Sequence, residues 1–157
     1  MDFVKIPNQL KPLQFTPEHI LNGKTLREFV FAGNALFTIL NKDSGNYFTY
    51  RVKKHKEDDV WFVQVLNVHD YTFIGTCFED KKFKHSTNSD LGLDNQKVKT
   101  FDWFLDKYFH EQNKFPQVEV YHHGRCGHCY KTLTTPESIK SGIGPVCGGK
   151  KYKKVTR

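Results

Sequence analysis

The sequence has little that would carry it into or across a membrane. Its apolar runs are short and its mean hydropathy is −0.62, whereas a spanning helix needs about 20 apolar residues in a row. Met1-Asp2-Phe3-Val4-Lys5 lacks the charged-then-apolar order of an export signal. Cysteine is scarce, at four residues, and so are methionine, at one, and tryptophan, at two. Four cysteines without an export pattern favour a reducing compartment and metal binding over disulfides, so the expected location is the cytoplasm. Acidic residues are outnumbered, 17 against 24 basic, for a net charge of +7. That excludes a protein mimicking DNA by overall negative charge, and it favours nucleic acid or acidic protein surfaces as partners. No internal repeat and no heptad pattern is present.

What the chain does have is aromatic material, with 14 Phe and 7 Tyr, and a length that suits one domain. Residues 1–15 read as an extended or poorly ordered arm. Thr16-Pro17-Glu18 has the form of an N-cap followed by proline at the first helical position, which predicts a short helix running to Leu21. Thr25 and Glu28 form a capping-box pattern, and Leu26, Phe29 and Val30 make an apolar face, so a helix is expected over about 25–32. Four runs rich in aromatic and β-branched residues follow, at 35–40, 47–53, 60–68 and 71–78. Their connections are too short for crossovers, so they form an antiparallel meander. Lys53-Lys54-His55-Lys56 followed by Glu57-Asp58-Asp59 reads as a charged hairpin loop.

Residues 79–96 are polar and read as a loop, with one edge strand near Phe83. Val98, Phe101, Phe104, Leu105, Tyr108 and Phe109 recur at three- and four-residue spacing. This predicts an amphipathic helix of about four turns lying over one face of the sheet. Residues 118–121 are a strand. Thr135 caps a short helix with Pro136 at its first position and Gly142 at its end. The fold class is therefore α+β: an antiparallel meander of about four to five strands covered by a helix, with a C-terminal zinc-stapled subdomain. The expected division is an arm with a short helix at 1–24, an α+β core at 25–117, and a metal motif with a basic tail at 118–157. That tail carries Lys150, Lys151, Lys153, Lys154 and Arg157.

The chemistry concentrates near the C-terminus. Cys126 and Cys129 are spaced C-x2-C, and Cys147 follows with seventeen residues between. Two thiolates on one tight turn hold one tetrahedral ion, and a third thiolate and an imidazole complete it. The expected site is a structural Zn2+ on His122, Cys126, Cys129 and Cys147. His123 is the alternative to His122, since strand alternation points only one of the two inward. His128 lies inside the knuckle and Cys77 is distant in sequence. The bland alternative is three reduced cysteines in a packed loop. A redox pair is disfavoured, because C-x2-C lacks its βαβ setting. Catalysis is disfavoured too, since four ligands close a zinc site and the zinc-deaminase signature is missing. Glu137, the one candidate base, sits where a carboxylate favours a helix dipole. Arg125, His128, Lys131, Tyr130 and Tyr152 are candidates for nucleic-acid contact, or else ordinary surface around the site.

His122, Gly124-Arg125-Cys126-Gly127, Cys129, Leu133-Thr134, Pro136-Glu137-Ser138-Ile139, Gly142, Gly144-Pro145 and Cys147 resemble the C-terminal domain of small proteins encoded by bacteriophages and mobile elements. Phe37-Thr38-Ile39, Phe48-Thr49-Tyr50-Arg51-Val52 and Tyr71-Thr72-Phe73-Ile74-Gly75-Thr76 resemble that family's β region, so the likeness spans roughly residues 25–148. Two departures are a trimmed loop at Asn67-Val68-His69-Asp70 and Tyr121 in place of tryptophan. Some small zinc-containing proteins of such phages are anti-CRISPR inhibitors of the type II RNA-guided Cas nuclease, and the chain resembles them in size and phage-like context. That resemblance implies a non-enzymatic protein in the bacterial host's cytoplasm that binds the host CRISPR effector nuclease and blocks target DNA loading. The alternative is a phage zinc protein that binds DNA or RNA without sequence preference.

Overall fold

The computed structural model describes residues 4–5, 14–15, 17–145 and 147. The expected arm, the Thr16 cap and the basic tail lie largely outside the described residues. Within the arm, β1 (Val4–Lys5) pairs antiparallel with β2 (Gln14–Phe15).

The main element is a seven-stranded antiparallel sheet. Its strands are β3 (Ile20–Leu21), β4 (Asn34–Asn41), β5 (Tyr47–Lys54), β6 (Trp61–Asn67), β7 (Asp70–Cys77), β8 (Phe83–His85) and β9 (Val118–His122). They are ordered β3-β9-β4-β5-β6-β7-β8. The meander expected from short connections is β4 to β8. The sheet exceeds the expected four to five strands because β9 returns to pair with β4 and the short β3 adds outside it. The charged hairpin loop joins β5 to β6, where Lys54 pairs with Asp59 at 3.5 Å and His55 with Asp58 at 3.5 Å.

Alternation sorts each strand into two faces. Phe37 and Ile39 of β4, Tyr50 and Val52 of β5, Val63 and Val65 of β6 and Val120 of β9 point to one side, where the core sits. Helix α2 (Gln96–Trp103) covers that side, capped by Asn95, whose side chain accepts from the Lys97 amide at 2.9 Å. Rings interlock beneath it. Tyr50 lies 5.0 Å from Phe101, and Phe37 5.7 Å from Phe104, in tilted pairs. Such pairs add about 0.5–1.5 kcal/mol each beyond the burial of their area. The Tyr50 hydroxyl donates to the Lys97 carbonyl at 2.7 Å.

The long helix expected to about Phe109 does not stay α. From Phe104 to Tyr108 it widens into a π turn, with the Phe109 amide bonding the Phe104 carbonyl at 2.8 Å. The wider turn keeps Phe104, Leu105, Tyr108 and Phe109 all buried. Two further expectations are corrected. The chain after Pro17 makes a single 3-10 turn, Pro17–His19, and enters β3, because Ile20 and Leu21 find partners on β9. Helix α1 runs Gly23–Val30 and begins two residues before Thr25. Asn22 is its N-cap, and the Asn22 amide donates to Thr25 Oγ1 at 3.2 Å, so Thr25 serves as the third helical residue.

Candidate metal centre

Strand β9 delivers the chain to the motif. After His122 it turns through Gly124 and doubles back, with Arg125 bridged to Thr132. The Cys126 amide donates to the Lys131 carbonyl at 2.8 Å and the Tyr130 amide to the Cys126 carbonyl at 2.9 Å. Tyr130 takes a left-handed backbone, φ 69°, to close the loop. The knuckle is tied to the core side. The Asn34 amide donates to the Gly127 carbonyl at 2.7 Å, and His128 Nδ1 bonds the Ala32 carbonyl at 2.8 Å, which makes that nitrogen the protonated one.

Helix α3 (Pro136–Ser141) follows as the sequence implies. Thr135 caps it by accepting from the Ser138 amide at 3.3 Å, Pro136 opens it, and Gly142 closes it with φ 78°. The Gly127 amide then donates to the Gly142 carbonyl at 2.8 Å, which holds the end of α3 against the knuckle. Both glycines face the same edge of the Phe29 ring. A methyl carbon on Gly142 would lie 2.5 Å from Phe29 Cδ1, and one on Gly127 would lie 2.7 Å from it. Helix α1 thus plugs the motif with one ring, and the glycines are what let two backbone segments approach it.

This packing brings Cys126, Cys129 and Cys147 together. Their sulfurs lie within 4.8 Å of one another. Thiolates around one tetrahedral ion at about 2.3 Å stand about 3.8 Å apart, so the group closes on an ion with a shift of about an ångström. Cys126 and Cys147 are buried. Cys126 Sγ accepts the His128 amide at 3.4 Å and the Gly144 amide at 3.2 Å. Burial works against ionising Cys126, but amide bonds from Cys129, Gly144 and His128 outweigh it and hold the thiol below its ordinary range. Burial, together with contact with Cys129 and Cys126, pushes Cys147 up to about 12. A cation among the three would reverse that, because coordination deprotonates a thiol outright. The sulfur donors, their burial and the amides aimed at Cys126 therefore fit a thiophilic ion.

The structure places His122 outside this group. Its ring is fully buried, its Nδ1 accepts the Gly124 amide at 2.9 Å, and its Nε2 bonds the Ile139 carbonyl at 2.5 Å. It stacks on His19 at 4.6 Å. Burial holds it near pKa 4 and therefore neutral. The side chain expected as fourth ligand is here a bolt between β9 and α3. His123 points to the other face, with its Nε2 at 2.8 Å from Thr38 Oγ1, and Thr38 in turn meets Thr49 at 2.7 Å. Cys77 sits in β7 opposite Trp61. Among the described residues, the cysteine trio is the one group of three or more such side chains within mutual reach. Glu137 is exposed in the first turn of α3.

Residues 117–151 match a family described only as a family of unknown function (DUF6011). The match takes in β9, the knuckle, α3 and all three clustered cysteines, and it leaves strands β3 to β8 outside. No curated protein and no solved structure matches the chain. No helix among the described residues is long and apolar enough to cross a membrane.

Proposed function

We propose that Cys126, Cys129 and Cys147 supply three of the four ligands of a structural Zn2+ ion and that the protein is a metal-stapled binding module. One observation carries the metal reading: three thiols converge within 4.8 Å, and Cys126 already receives backbone N–H bonds. Zinc is favoured over harder cations because all three donors are sulfur. The ion would fasten the end of α3 and the segment bearing Cys147 to the knuckle after β9. A binding role is supported by the surroundings. The candidate base from the sequence, Glu137, faces solvent, and His122 is locked between two backbone groups.

The test is metal analysis on protein purified without added metal, followed by titration with a strong chelator. The expected result is one zinc per chain, and on its removal a large drop in melting temperature. Absence of stoichiometric metal, with a melting temperature indifferent to chelator, would overturn the reading. The resemblance of the C-terminal motif to phage proteins supports a finer reading, in which the partner is a host RNA-guided nuclease. Guide-loaded nuclease incubated with a molar excess of this protein should then lose target cleavage and co-elute with it. Undiminished cleavage refutes that reading and leaves the metal site untouched.

A further inference from the structure

Helices α1 and α2 pack on one face of the sheet, and the opposite face of β5 to β8 carries a different kind of surface. Inward residues Tyr50, Val52, Val63 and Val65 are fully buried. Their neighbours Arg51, Lys53, Phe62 and Phe73 therefore point the other way. The register aligns them in rows. Lys53 stands beside Phe62, Phe62 beside Thr76, and Thr76 beside Lys84. In the next row Arg51 stands beside Gln64 and Gln64 beside Phe73. The Arg51 guanidinium lies over the Tyr71 ring, 4.1 Å from its centroid. Phe62 and Phe73 are 6.4 Å apart, and Phe62 is 37% exposed.

An exposed phenylalanine in the middle of a sheet is costly to leave in water, and here its neighbours are cations. By this alternation, the outward positions of β5 to β8 bear Arg51, Lys53 and Lys84 and no carboxylate. Asp58 and Asp59, in the loop joining β5 to β6, are paired with His55 and Lys54, and Asp70 stands at the start of β7 beside Asn67, on the inward side by the same alternation. Glu119, on β9, is paired with Lys42 at 3.3 Å. Two adjoining aromatic rings, with His55 edge-on to Phe62 at 6.1 Å, set beside cations that have no carboxylate partner among the described residues, match bases that stack and phosphates that carry charge. They match a duplex less well, because its bases are already stacked on each other.

We propose that this face binds single-stranded nucleic acid, with bases stacking on Phe62 and Phe73 and phosphates meeting Arg51, Lys53 and Lys84. The assignment rests on the sheet alone and not on the metal reading, so either can fail without the other.

The experiment uses the full chain as purified and a fluorescein-labelled oligo-dT of about 12 nucleotides, within the ~4–16-nucleotide span of a single-strand-binding fold. Anisotropy is read across a salt series, with a duplex of equal length alongside. The single strand should bind more tightly than the duplex. Phe62→Ala and Phe73→Ala should each weaken it roughly 5- to 100-fold, the loss of about one stacked base. Lys53→Gln should lower the salt slope by about one. Phe62→Ala alters a partly exposed ring, and its melting temperature checks that the fold survives. Three results would overturn the proposal: no binding at low salt, equal binding of duplex, or binding that falls with Lys53→Gln yet ignores both ring substitutions. The last would mark a surface that is merely cationic.

Discussion

Gly142→Ala should cost far more than its size implies, and a matched control shows why. Gly142 and Gly45 have nearly the same left-handed backbone, φ 78° and 79°. A side chain at either one carries a conformational penalty of about 1–2 kcal/mol. A methyl on Gly45 meets nothing within 4 Å, while one on Gly142 meets Phe29 Cδ1 at 2.5 Å, Cε1 at 3.0 Å and Leu21 Cδ2 at 3.3 Å. The ring has no easy retreat. It is fully buried, edge-on to Phe37 at 6.4 Å and beside His122 at 5.9 Å. Overpacking of this kind adds about 1–3 kcal/mol. Urea unfolding of zinc-loaded protein, followed by tryptophan fluorescence, measures both variants. With a slope near 2 kcal/mol/M, Gly142→Ala should unfold about 0.5–1.5 M below Gly45→Ala. Adding Phe29→Leu should recover part of that difference, as a double-mutant cycle with coupling between the two sites. Equal midpoints for the two alanine variants would refute the seating of Phe29 against the end of α3.

Further outcomes follow from the same geometry. Cys126→Ser or Cys147→Ser should release the metal and lower stability by several kcal/mol, whereas His122→Gln should retain it, as read by metal analysis of each purified variant. His122 is neutral in the fold, with a pKa near 4 against 6.5 when free, so the unfolded chain takes up its proton first as pH falls. Its contribution is complete above about pH 6.5 and is lost as pH falls towards 4; about 2 kcal/mol has gone by about pH 5. Unfolding curves at these pH values should show a steeper loss for the native sequence than for His122→Gln, and parallel losses would contradict the assignment. Tyr50→Phe leaves the ring in place and deletes its bond to the Lys97 carbonyl. It should cost about 0.5–1.5 kcal/mol in the same urea assay.

The parts of this structure that could be read from sequence are those set by local chemistry. Aromatic and β-branched residues in 47–53 and 60–68 marked strands, and the short connections between the runs marked the meander. Thr135, Pro136 and Gly142 marked both ends of α3, because caps depend on neighbouring backbone alone. C-x2-C with a later cysteine picked out the three residues that converge. What stayed hidden depends on distant partners. Ile20 and Leu21 become a strand only because β9 is beside them. The π turn was masked because Phe104, Tyr108 and Phe109 satisfy a helical spacing on either side of the change. Whether His122 meets sulfur or backbone depends on where α3 comes to rest, and strand alternation says only which face the ring takes. Asn22 also escaped notice as a cap, since Thr25 and Glu28 offered a complete pattern three residues further on.

Strand β9 fills an interior place in the sheet although it follows β4 to β8 along the chain. Until residues 118–122 have been made, β4 presents a free edge along residues 37–41, which include Phe37, Ile39 and Leu40. An open apolar edge of that length is a template for pairing with other chains. The chain directly after β9 brings Cys126, Cys129 and Cys147, so closing the sheet and gathering the three thiols both wait for residues 118–147 to be made. The chain's vulnerable period is thus set by how soon that segment is translated and, on the proposed metal reading, by zinc supply as well. Zinc shortage during growth should then appear first as aggregated newly made protein, before any loss of the molecules already folded.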